Sequence, residues 1–267
     1  MRIDLRYPAL ILGLLCLLGY IAPLSAGGKQ ASNFHVERIA HAGGGYQGKT
    51  YTNFYEALDL NLSQGFRYFE IDFVFTGDQQ LVCLHDWGKS FERRFKRPAK
   101  PIPTLAGFEK LAADFEPYTP CTLKGLAAWM KENPEAYIVS DVKGKRNNMP
   151  ALEKMLAVLP DARRRLIPQI YQPEEYQPAR DMGFEQIIWT LYRFPGDRKS
   201  VLTQLEKMEG AIAVTMPLRR AESSLPKKLA GLQIPTYVHT INDIEQAQKL
   251  VNELLVSEIY TDFLPPQ

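Results

Sequence analysis

Apolar runs and amphipathic segments alternate along the chain from about residue 36 to its end. The apolar runs have the length and composition of β-strands, and most of the segments between them have helical spacing. The predicted strands are 36–41, 67–75, 81–85, 136–142, 165–170, 186–191, 211–215, 235–241 and 258–262. The predicted helices are 53–64, 122–133, 148–159, 173–182, 197–208, 220–230 and 243–254. This alternation favours a parallel sheet covered by helices.

The second and third predicted strands are too close together for a parallel connection. The short segment between them contains Thr76-Gly77-Asp78-Gln79 and ends at Gln80, whereas a parallel crossover needs a dozen or more residues. Gly77-Asp78 suits a two-residue hairpin turn, so 81–85 is predicted to return antiparallel beside the second strand. Eight parallel strands then remain. We therefore predict an α/β fold, a (β/α)₈ TIM barrel with a β-hairpin arm after strand 2, as a single domain over 34–267.

The hairpin turn also predicts how the two strands of the arm pair. If Thr76 pairs with Gln79, Glu70 lies opposite His85, and Asp72 lies opposite Cys83. Residues directly opposite each other share a face of a sheet, and successive side chains alternate between faces. Glu70, Asp72, Cys83 and His85 are therefore expected on one face.

The connection at about 86–121 is the longest without clear periodicity, and a loop of this length predicts a lid or a short insertion. It contains the basic run 91–98 and two further prolines, Pro101 and Pro103. Two interpretations of the basic run stay open. It is either a solvated loop or an electropositive rim that attracts anionic substrates or lipid headgroups.

The N-terminus differs in composition from the rest of the chain. Arg2 and Arg6 precede an uncharged apolar run that extends to Gly28. Such a run is longer than the apolar part of most signal peptides, roughly 7–15 residues, and near the ~20 residues that span a bilayer. Residues 1–28 are therefore predicted to be a signal peptide or a signal anchor. The remainder is expected to be exported, periplasmic or extracytoplasmic, with membrane association through residues 7–28 if the segment is retained.

Composition excludes two classes of protein and leaves the cysteines open. Hydrophobic residues at 45% and charged residues at 23% are typical of folded domains, which argues against disorder. A net charge of +2 gives no overall signature of nucleic-acid binding. Cys16 lies in the N-terminal apolar run, so Cys83 and Cys121 are a possible pair. Two buried free thiols are the preferred interpretation.

Residues suited to metal and phosphate chemistry end several predicted strands. In a TIM barrel the carboxyl ends of all strands meet at one mouth, so these side chains are expected to converge there. Three carboxylates without a thiol ligand suit a hard, oxygen-seeking cation, Mg²⁺ or Ca²⁺. Individually, each of these residues is also explained by an ordinary structural role. The residues are His41, Glu70, Asp72, His85, Asp141 and Lys143.

Other strand ends are expected to line the same mouth. Gln169, Trp189, Thr215 and His239 all stand near the ends of later predicted strands. Gln169 and His239 are taken as candidate substrate-binding residues, although plain packing also explains His239. Trp87 follows His85-Asp86 and is a third candidate, as a wall of the pocket. The alternative is that Trp87 belongs to a small core of the insertion.

Taken in order, these motifs resemble the glycerophosphodiester phosphodiesterase family, one of the phosphatidylinositol-phospholipase-C-like barrels. That family has a strand ending His-Arg-Gly, then Glu-Asn-Thr, Glu-x-Asp, His-Asp and Glu-x-Lys. The matching residues here are His41, Asn53, Glu70-Ile71-Asp72, His85-Asp86 and Asp141-Val142-Lys143. The family's closing motif is similar to Val238-His239-Thr240-Ile241-Asn242 and Ile259-Tyr260-Thr261-Asp262. The resemblance covers about 37–143 and 235–262.

The resemblance implies metal-dependent hydrolysis of a small-molecule phosphodiester, glycerophosphodiester-like or lipid-derived. It implies one divalent cation, Mg²⁺ or Ca²⁺, on Glu70, Asp72 and Asp141, where the ion would neutralise charge developing on a phosphate oxygen. In the family a neighbouring substrate hydroxyl can attack first, giving a cyclic phosphate that water then opens.

The resemblance also implies a two-histidine acid–base pair. His41 and His85 would act as general acid and general base on opposite sides of phosphorus, in an order that the sequence leaves open. Lys143 would stabilise the phosphate charge. Two alternatives to hydrolysis are a phospholipase-C-like lyase that stops at a cyclic phosphate and a barrel that binds a phosphorylated ligand without turning it over.

Three positions depart from the family pattern. Ala42 replaces the arginine, which removes a bidentate phosphate donor and gives His-Ala-Gly-Gly. Thr52 stands where glutamate is usual, and Asp141 replaces a glutamate with a side chain one methylene shorter. We expect a cation from the basic run to replace the missing arginine. The candidates are Arg93, Arg94 and Lys96.

Overall fold

The structure is a computed structural model that describes residues 34–113 and 118–266. The predicted signal peptide or anchor at 1–28 and the apolar run at 7–28 lie outside these residues, as does Cys16. Across the described ranges, no helix has both the length and the apolar composition needed to cross a membrane.

Eight parallel strands form a closed barrel, which confirms the predicted (β/α)₈ fold. The first strand pairs with both the second and the last, Ile39 with Tyr68 and with Tyr260, and these two pairings close the sheet. The barrel strands are β1 (Ile39–Ala40), β2 (Tyr68–Phe75), β4 (Tyr137–Val142), β5 (Leu166–Ile170), β6 (Gln186–Thr190), β7 (Ala211–Pro217), β8 (Thr236–His239) and β9 (Glu258–Thr261). The remaining strand, β3 (Leu81–Cys83), pairs antiparallel with β2 outside the barrel.

Helices follow most of the barrel strands and cover the outer face of the sheet. They are α1 (Tyr55–Ser63), α2 (Lys89–Phe95), α3 (Leu105–Ala113), α4 (Leu123–Glu132), α5 (Asn148–Val158), α6 (Ala162–Arg165), α7 (Tyr176–Asp181), α8 (Arg198–Leu205), α9 (Leu218–Ala221), α10 (Leu225–Gly231) and α11 (Ile244–Asn252). One large apolar cluster lies between the strands and these helices, except for α2 and α3, which pack in a separate cluster over the hairpin arm. Short 3-10 helices at His41–Gly43 and Pro173–Glu175 follow β1 and β5.

A second apolar cluster fills the inside of the barrel. Each barrel strand contributes one inward residue, and Phe34 packs against them from the preceding segment. Close packing of these side chains removes apolar surface from water and leaves a solid plug, so a ligand can enter only beyond it. The inward residues of the plug are Ile39, Tyr68, Val139, Ile167, Ile188, Ala213, Tyr237 and Tyr260.

The hairpin arm forms as predicted, but its predicted pairing is wrong by one residue. Phe73 pairs with Cys83 and Phe75 with Leu81, so the direct partner of Cys83 is Phe73 instead of Asp72. Gln79 adopts a left-handed conformation with φ of 59°, and the backbone N–H of Thr76 donates to Gln80. The turn therefore holds one more residue than a two-residue hairpin, which shifts the whole pairing.

The segment at about 86–121 is an insertion with an apolar core of its own, above the hairpin arm. Helices α2 and α3 place Phe91 and Phe108 against Val82 and Leu84 of the arm and its continuation. Trp87 also packs here, with its indole N–H donating to the carbonyl of Phe75 at 2.7 Å.

A disulfide joins the two ends of this insertion, so the preferred expectation of two free thiols is wrong. Cys83 ends β3 and Cys121 precedes α4, with Cα atoms 5.1 Å apart and both side chains fully buried. The backbone N–H of Cys83 also donates to the carbonyl of Cys121 at 2.9 Å. This pairing is a tertiary contact across 38 residues, so no local pattern in the sequence reveals it.

Opening this disulfide is expected to destabilise the chain by about 3–4 kcal/mol, because it closes a loop of 38 residues. The measurement is urea unfolding of the oxidised protein beside the double variant Cys83→Ala/Cys121→Ala. Coincident unfolding curves, or two reactive thiols at these positions in the native protein, would contradict the pairing.

Candidate functional site

A ring of polar residues lies directly above the apolar plug. On every barrel strand, the residue two positions after the plug residue is polar. Because side chains alternate along a strand, these residues also point inward, at the carboxyl ends of the strands. The ring consists of His41, Glu70, Asp141, Gln169, Thr190, Thr215, His239 and Asp262. Asp72 stands one further inward step along β2.

A cavity of about 520 Å³, here called the mouth cavity, opens above this ring. It brings together eight of the nine residues that the sequence nominated for catalysis, metal binding or substrate binding, while Trp87 lies instead in the core of the insertion. Thr215, also expected in the mouth, is not in the lining but lies 2.8 Å from His239 Nδ1. The nominated residues in its lining are His41, Glu70, Asp72, His85, Asp141, Lys143, Gln169 and His239.

Three buried carboxylates form the floor of the mouth cavity. One oxygen from each of Glu70, Asp72 and Asp141 lies within 4.8 Å of the others. Glu70 Oε2 accepts a hydrogen bond from the backbone N–H of Ala42 at 2.6 Å, whereas its Oε1 is buried without a hydrogen-bond partner in the described part of the chain. A buried carboxylate oxygen without a partner is costly, and a cation can satisfy it. The donor set and its spacing therefore fit a hard divalent ion.

Lys143 balances part of this negative charge. Its Nζ lies 2.6 Å from Asp72 Oδ1 and 2.6 Å from Asp141 Oδ2. Burial alone would raise the pKa of Asp72, but the charges of Lys143, His85 and His41 together outweigh burial and lower it. Lys143 forms no such ion pair with Glu70. Burial and the charges of Asp72 and Asp141 raise the pKa of Glu70 to about 8. Without a bound cation, Glu70 therefore carries a proton at neutral pH.

Asn53 and Tyr171 fix the orientation of the two aspartates. The Asn53 side chain donates to Asp72 Oδ2 at 2.8 Å and accepts from the backbone N–H of Asp72 at 3.0 Å. The hydroxyl of Tyr171 donates to Asp141 Oδ1 at 2.5 Å. In each aspartate, Lys143 therefore binds one carboxylate oxygen. The other oxygen accepts a hydrogen bond, from Asn53 in Asp72 and from Tyr171 in Asp141.

His41 is held by a carboxylate on the last strand. Its Nδ1 lies 3.0 Å from Asp262 Oδ1, and Asn242 donates to the other oxygen of Asp262 at 2.8 Å. Nε2 is thus the ring nitrogen left for a ligand. Burial lowers the pKa of His41, but the bond to Asp262 and the charges of Glu70 and Asp72 outweigh burial and raise it to about 9.

His85 enters the mouth cavity because the chain bends after β3. A regular strand through Cys83 would turn the side chain of His85 towards the helices, but β3 ends at Cys83 and a bend follows at His85. Its Nδ1 lies 2.8 Å from Asp86 Oδ2. Burial raises the pKa of Asp86, but bonds from Ser90 and His85 outweigh it and lower that pKa to about 2, so Asp86 stays ionised.

Tyr51 stands between the two histidines. Its ring centre lies 4.8 Å from that of His41 and 5.0 Å from that of His85, edge to face in both cases. The tyrosine therefore separates the histidines and keeps them on two sides of the cavity, with the carboxylate floor below.

Gln169 and His239 lie in the wall and are both engaged by neighbours. Gln169 Oε1 accepts from the hydroxyl of Tyr260 at 3.1 Å, and His239 Nδ1 lies 2.8 Å from Thr215 Oγ1. Burial and the nearby charge of His41 lower the pKa of His239 to about 4, so this imidazole is neutral at pH 7. Both residues offer neutral polar groups to a ligand.

In the segment after β1, position 42 carries only the methyl group of alanine, and backbone carbonyls of this segment accept hydrogen bonds. Ala42 is fully buried with φ of 49° and ψ of 38°, a left-handed conformation. Its carbonyl accepts from the Thr52 hydroxyl at 2.8 Å, and the same hydroxyl lies 2.7 Å from the carbonyl of Gly44. Thr52 thus ties the loop closed.

Some residues of the mouth cavity could not be found from sequence patterns. Tyr171, Tyr192 and Arg193 belong to loops after β5 and β6, and Arg193 lies over the Tyr171 ring at 4.7 Å. Asp262 could have been found, because it stands two residues beyond Tyr260 of the plug. Trp189 was expected in the mouth but packs among the helices, because its neighbour Thr190 is the inward residue.

The basic run does not fill the place of the missing arginine in the mouth cavity. Arg93, Arg94 and Lys96 line a separate cavity of about 460 Å³ on the other side of Tyr51 and His85. Apart from histidine, the mouth cavity has Lys143 and Arg193 as its cationic lining residues.

Comparison with known proteins identifies the fold. No protein-family model and no curated protein matches the sequence. Among solved structures, a glycerophosphodiester phosphodiesterase from Thermotoga maritima is similar over 85% of this chain and 95% of its own, with 20% identity and a TM-score of 0.65.

Two further solved structures agree. A phosphodiesterase from Oleispira antarctica, in complex with the product sn-glycerol-3-phosphate, covers 85% of this chain and 93% of its own at 18% identity and a TM-score of 0.66. A glycerophosphodiester phosphodiesterase from Parabacteroides distasonis covers 88% and 94% at 17% identity and a TM-score of 0.64. At such identities the likeness establishes a shared barrel.

Proposed function

We propose that this chain is a metal-dependent phosphodiester hydrolase that acts on a small glycerophosphodiester-like substrate. The observation that carries the proposal is the mouth cavity itself, where two histidines stand on either side of Tyr51 above three clustered carboxylates. Paired proton-transfer groups beside a cation site are the equipment for phosphoryl transfer to water. Structures of glycerophosphodiester phosphodiesterases with the same barrel support the reaction class.

Glu70, Asp72 and Asp141 would hold the divalent ion, Mg²⁺ or Ca²⁺. The unpartnered Oε1 of Glu70 and the absence of thiols from the cluster support a hard cation. When bound, the ion supplies Lewis-acid stabilisation of charge on a phosphate oxygen. Asn53 orients Asp72, and Tyr171 orients Asp141, so both ligands are held before an ion arrives.

His41 and His85 would supply the general acid and the general base. Asp262 and Asp86 each occupy one Nδ1, which presents Nε2 of both rings for proton transfer at the substrate oxygens. One histidine takes the proton of the attacking water, or of a neighbouring substrate hydroxyl, and the other gives a proton to the departing alkoxide. A cyclic phosphate formed by the hydroxyl would then be opened by water with the same two groups. The carboxylate partners hold the rings in place and stabilise their protonated forms.

Lys143 and Arg193 would bind the phosphate charge in place of the arginine that Ala42 replaces. Lys143 lies beside the carboxylate floor, and Arg193 faces the same cavity from the loop after β6. Gln169 and His239 would contact the alcohol groups, because both offer neutral hydrogen-bonding atoms from the wall. Trp87 is not one of the proposed substrate-binding residues, because its indole N–H donates to the carbonyl of Phe75 and its ring packs in the core of the insertion.

Export across a membrane is part of the proposal. The apolar segment at 7–28, preceded by Arg2 and Arg6, supports it from the sequence. The disulfide between Cys83 and Cys121 supports it independently, because such bonds persist in oxidising compartments.

Cation binding is expected to be linked to proton release. With the pKa of Glu70 raised to about 8 in the metal-free chain, an incoming ion must displace a proton below that pH. Affinity for Mg²⁺ or Ca²⁺ should therefore rise with pH up to about 8 and then level off. Calorimetric titration in two buffers of different ionisation enthalpy measures the released proton. An affinity that is flat over this range would contradict the assignment of Glu70.

The proposed function is tested by an activity screen on the purified protein. Glycerophosphodiesters with different alcohols are supplied with chelator, Mg²⁺ or Ca²⁺, and release of the alcohol is measured. We expect turnover only with a divalent cation and fastest for the alcohol that fits beside Gln169 and His239. No turnover of any phosphodiester, with the cation bound, would instead favour a barrel that binds its ligand without cleaving it.

A further inference from the structure

Arg94 is a cation without an anionic partner among the described residues. Its Nη2 donates to the backbone carbonyls of Tyr51, at 3.0 Å, and of Thr52. Its Nη1 is covered from solvent and has no hydrogen-bond partner, and among the described residues no carboxylate forms an ion pair with it. Burial, together with the nearby charge of Arg93, lowers the pKa of Arg94 to about 10. A half-buried guanidinium with a covered, unpaired N–H is costly unless an anion completes it.

In the cavity that Arg94 lines, here called the side pocket, the lysines and arginines of the lining give a positive charge. Its volume is about 460 Å³, and Lys49, Arg93 and Lys96 join Arg94 in its lining. Among the described residues, its lining contains no aspartate or glutamate, although the mouth cavity next to it has four. Charges of one sign around a concave site attract the opposite sign and exclude their own.

Two residues are shared by the side pocket and the mouth cavity. Tyr51 and His85 contribute to both linings, so they form the boundary between the two. His85 is also one of the two proposed proton-transfer residues. A ligand whose phosphodiester lies beside His85 can therefore extend one of its two alcohol groups towards the side pocket.

We propose that the side pocket binds a second anionic group, of the phosphate class, carried on one alcohol of the substrate. Arg94 would give its unpaired Nη1–H to a phosphate oxygen, and the lysines and Arg93 would balance the remaining charge. The location of this group relative to the reacting phosphorus rests on the proposed function, whereas anion binding in the side pocket does not.

Anion binding is tested with inorganic phosphate and metal-free protein in the presence of chelator. Under these conditions the carboxylates repel phosphate from the mouth cavity. We expect saturable phosphate binding that weakens about tenfold or more in Arg94→Gln and in the double variant Arg93→Ala/Lys96→Ala. The double variant changes two exposed residues, so its fold is retained if Arg94→Gln fails to fold. Arg97→Ala is the matched control, because Arg97 is exposed in the same run but outside the side pocket.

Substrate preference gives the second arm of the test. Glycerophosphoglycerol is compared with the same diester carrying a terminal phosphate monoester, with cation present. We expect kcat/KM about tenfold or more higher for the phosphorylated diester, a preference lost in Arg93→Ala/Lys96→Ala and kept in Arg97→Ala.

The two hypotheses fail in distinguishable ways. Phosphate binding that depends on Arg94, without hydrolysis of either diester, would overturn the proposed function and leave the side pocket standing. Hydrolysis of both diesters at equal rates, with phosphate affinity unchanged in the double variant, would overturn the side pocket alone.

Discussion

Replacing His85 with alanine is expected to lower kcat for phosphodiester hydrolysis by about 10²–10⁴-fold, the usual contribution of a proton-transfer residue. The ring lines the mouth cavity, and its hydrogen-bond partner is the adjacent Asp86. Because the side chain of His85 is 37% exposed, its removal leaves no large void and the protein should unfold at an unchanged temperature. The measurement is steady-state kinetics at saturating cation beside a thermal unfolding curve.

His41→Ala should lose activity to the same extent, because His41 faces the same cavity from the opposite side of Tyr51. His35→Ala is the matched control. His35 is exposed, pairs with Glu37, and is not in the lining of the mouth cavity. Full activity in either His41→Ala or His85→Ala, or an equal loss in His35→Ala, would contradict the two-histidine assignment.

Glu70→Gln is expected to weaken divalent-cation binding about 100-fold or more and to remove most activity at millimolar cation. The amide keeps the shape of the side chain, and its oxygen can still accept the hydrogen bond from Ala42. What is lost is one negative charge from a cluster of three carboxylates. Isothermal titration with Mg²⁺ and Ca²⁺ measures the affinity, and Glu37→Gln, at a surface carboxylate, is the control.

The same substitution should stabilise the metal-free protein at neutral pH. Burial raises the pKa of Glu70 to about 8, so the folded state favours the protonated form. The contribution of Glu70 to the free energy of unfolding is largest below the unfolded-state pKa of about 4.5. It falls by about 1.4 kcal/mol for each pH unit as pH rises towards 8. Glu70→Gln should therefore unfold at higher urea than the wild type at pH 7 in chelator. A variant that unfolds at lower urea than the wild type would contradict the raised pKa of Glu70.

The residues of the site could be read from the sequence because two periodicities agree. Alternation along each strand puts a polar residue two positions beyond an apolar plug residue, as Glu70 follows Tyr68 and Asp141 follows Val139. Parallel strands then bring these positions to one end of the barrel. Neither step depends on knowing the helices or the loops.

Two predictions were wrong because a shift of one residue changes the pairing of a strand or the face that a side chain occupies. The left-handed conformation of Gln79 lengthened the hairpin turn and shifted the predicted pairing, and His85 still reached the mouth because the chain bends after Cys83. The exchange of Trp189 for Thr190 is the same kind of error, since one step along a strand reverses the face.

Contacts between segments that are distant in the sequence could not be predicted from the spacing of residues. The disulfide between Cys83 and Cys121 depends on where the insertion returns to the arm. Arg193 reaches the mouth cavity from a loop whose path no local preference determines. Both cases require the three-dimensional structure, because the partners are not related by helix or strand spacing.

We propose that this mouth cavity hydrolyses phosphodiesters with the help of a divalent cation and two histidines. Phosphorus NMR of a glycerophosphodiester incubated with the purified chain tests it most directly. We expect the phosphodiester resonance to be converted to that of a phosphate monoester with Mg²⁺ or Ca²⁺, and to persist with chelator or with His85→Ala. Accumulation of a cyclic phosphate as the final product, or conversion that continues in chelator, would contradict the claim.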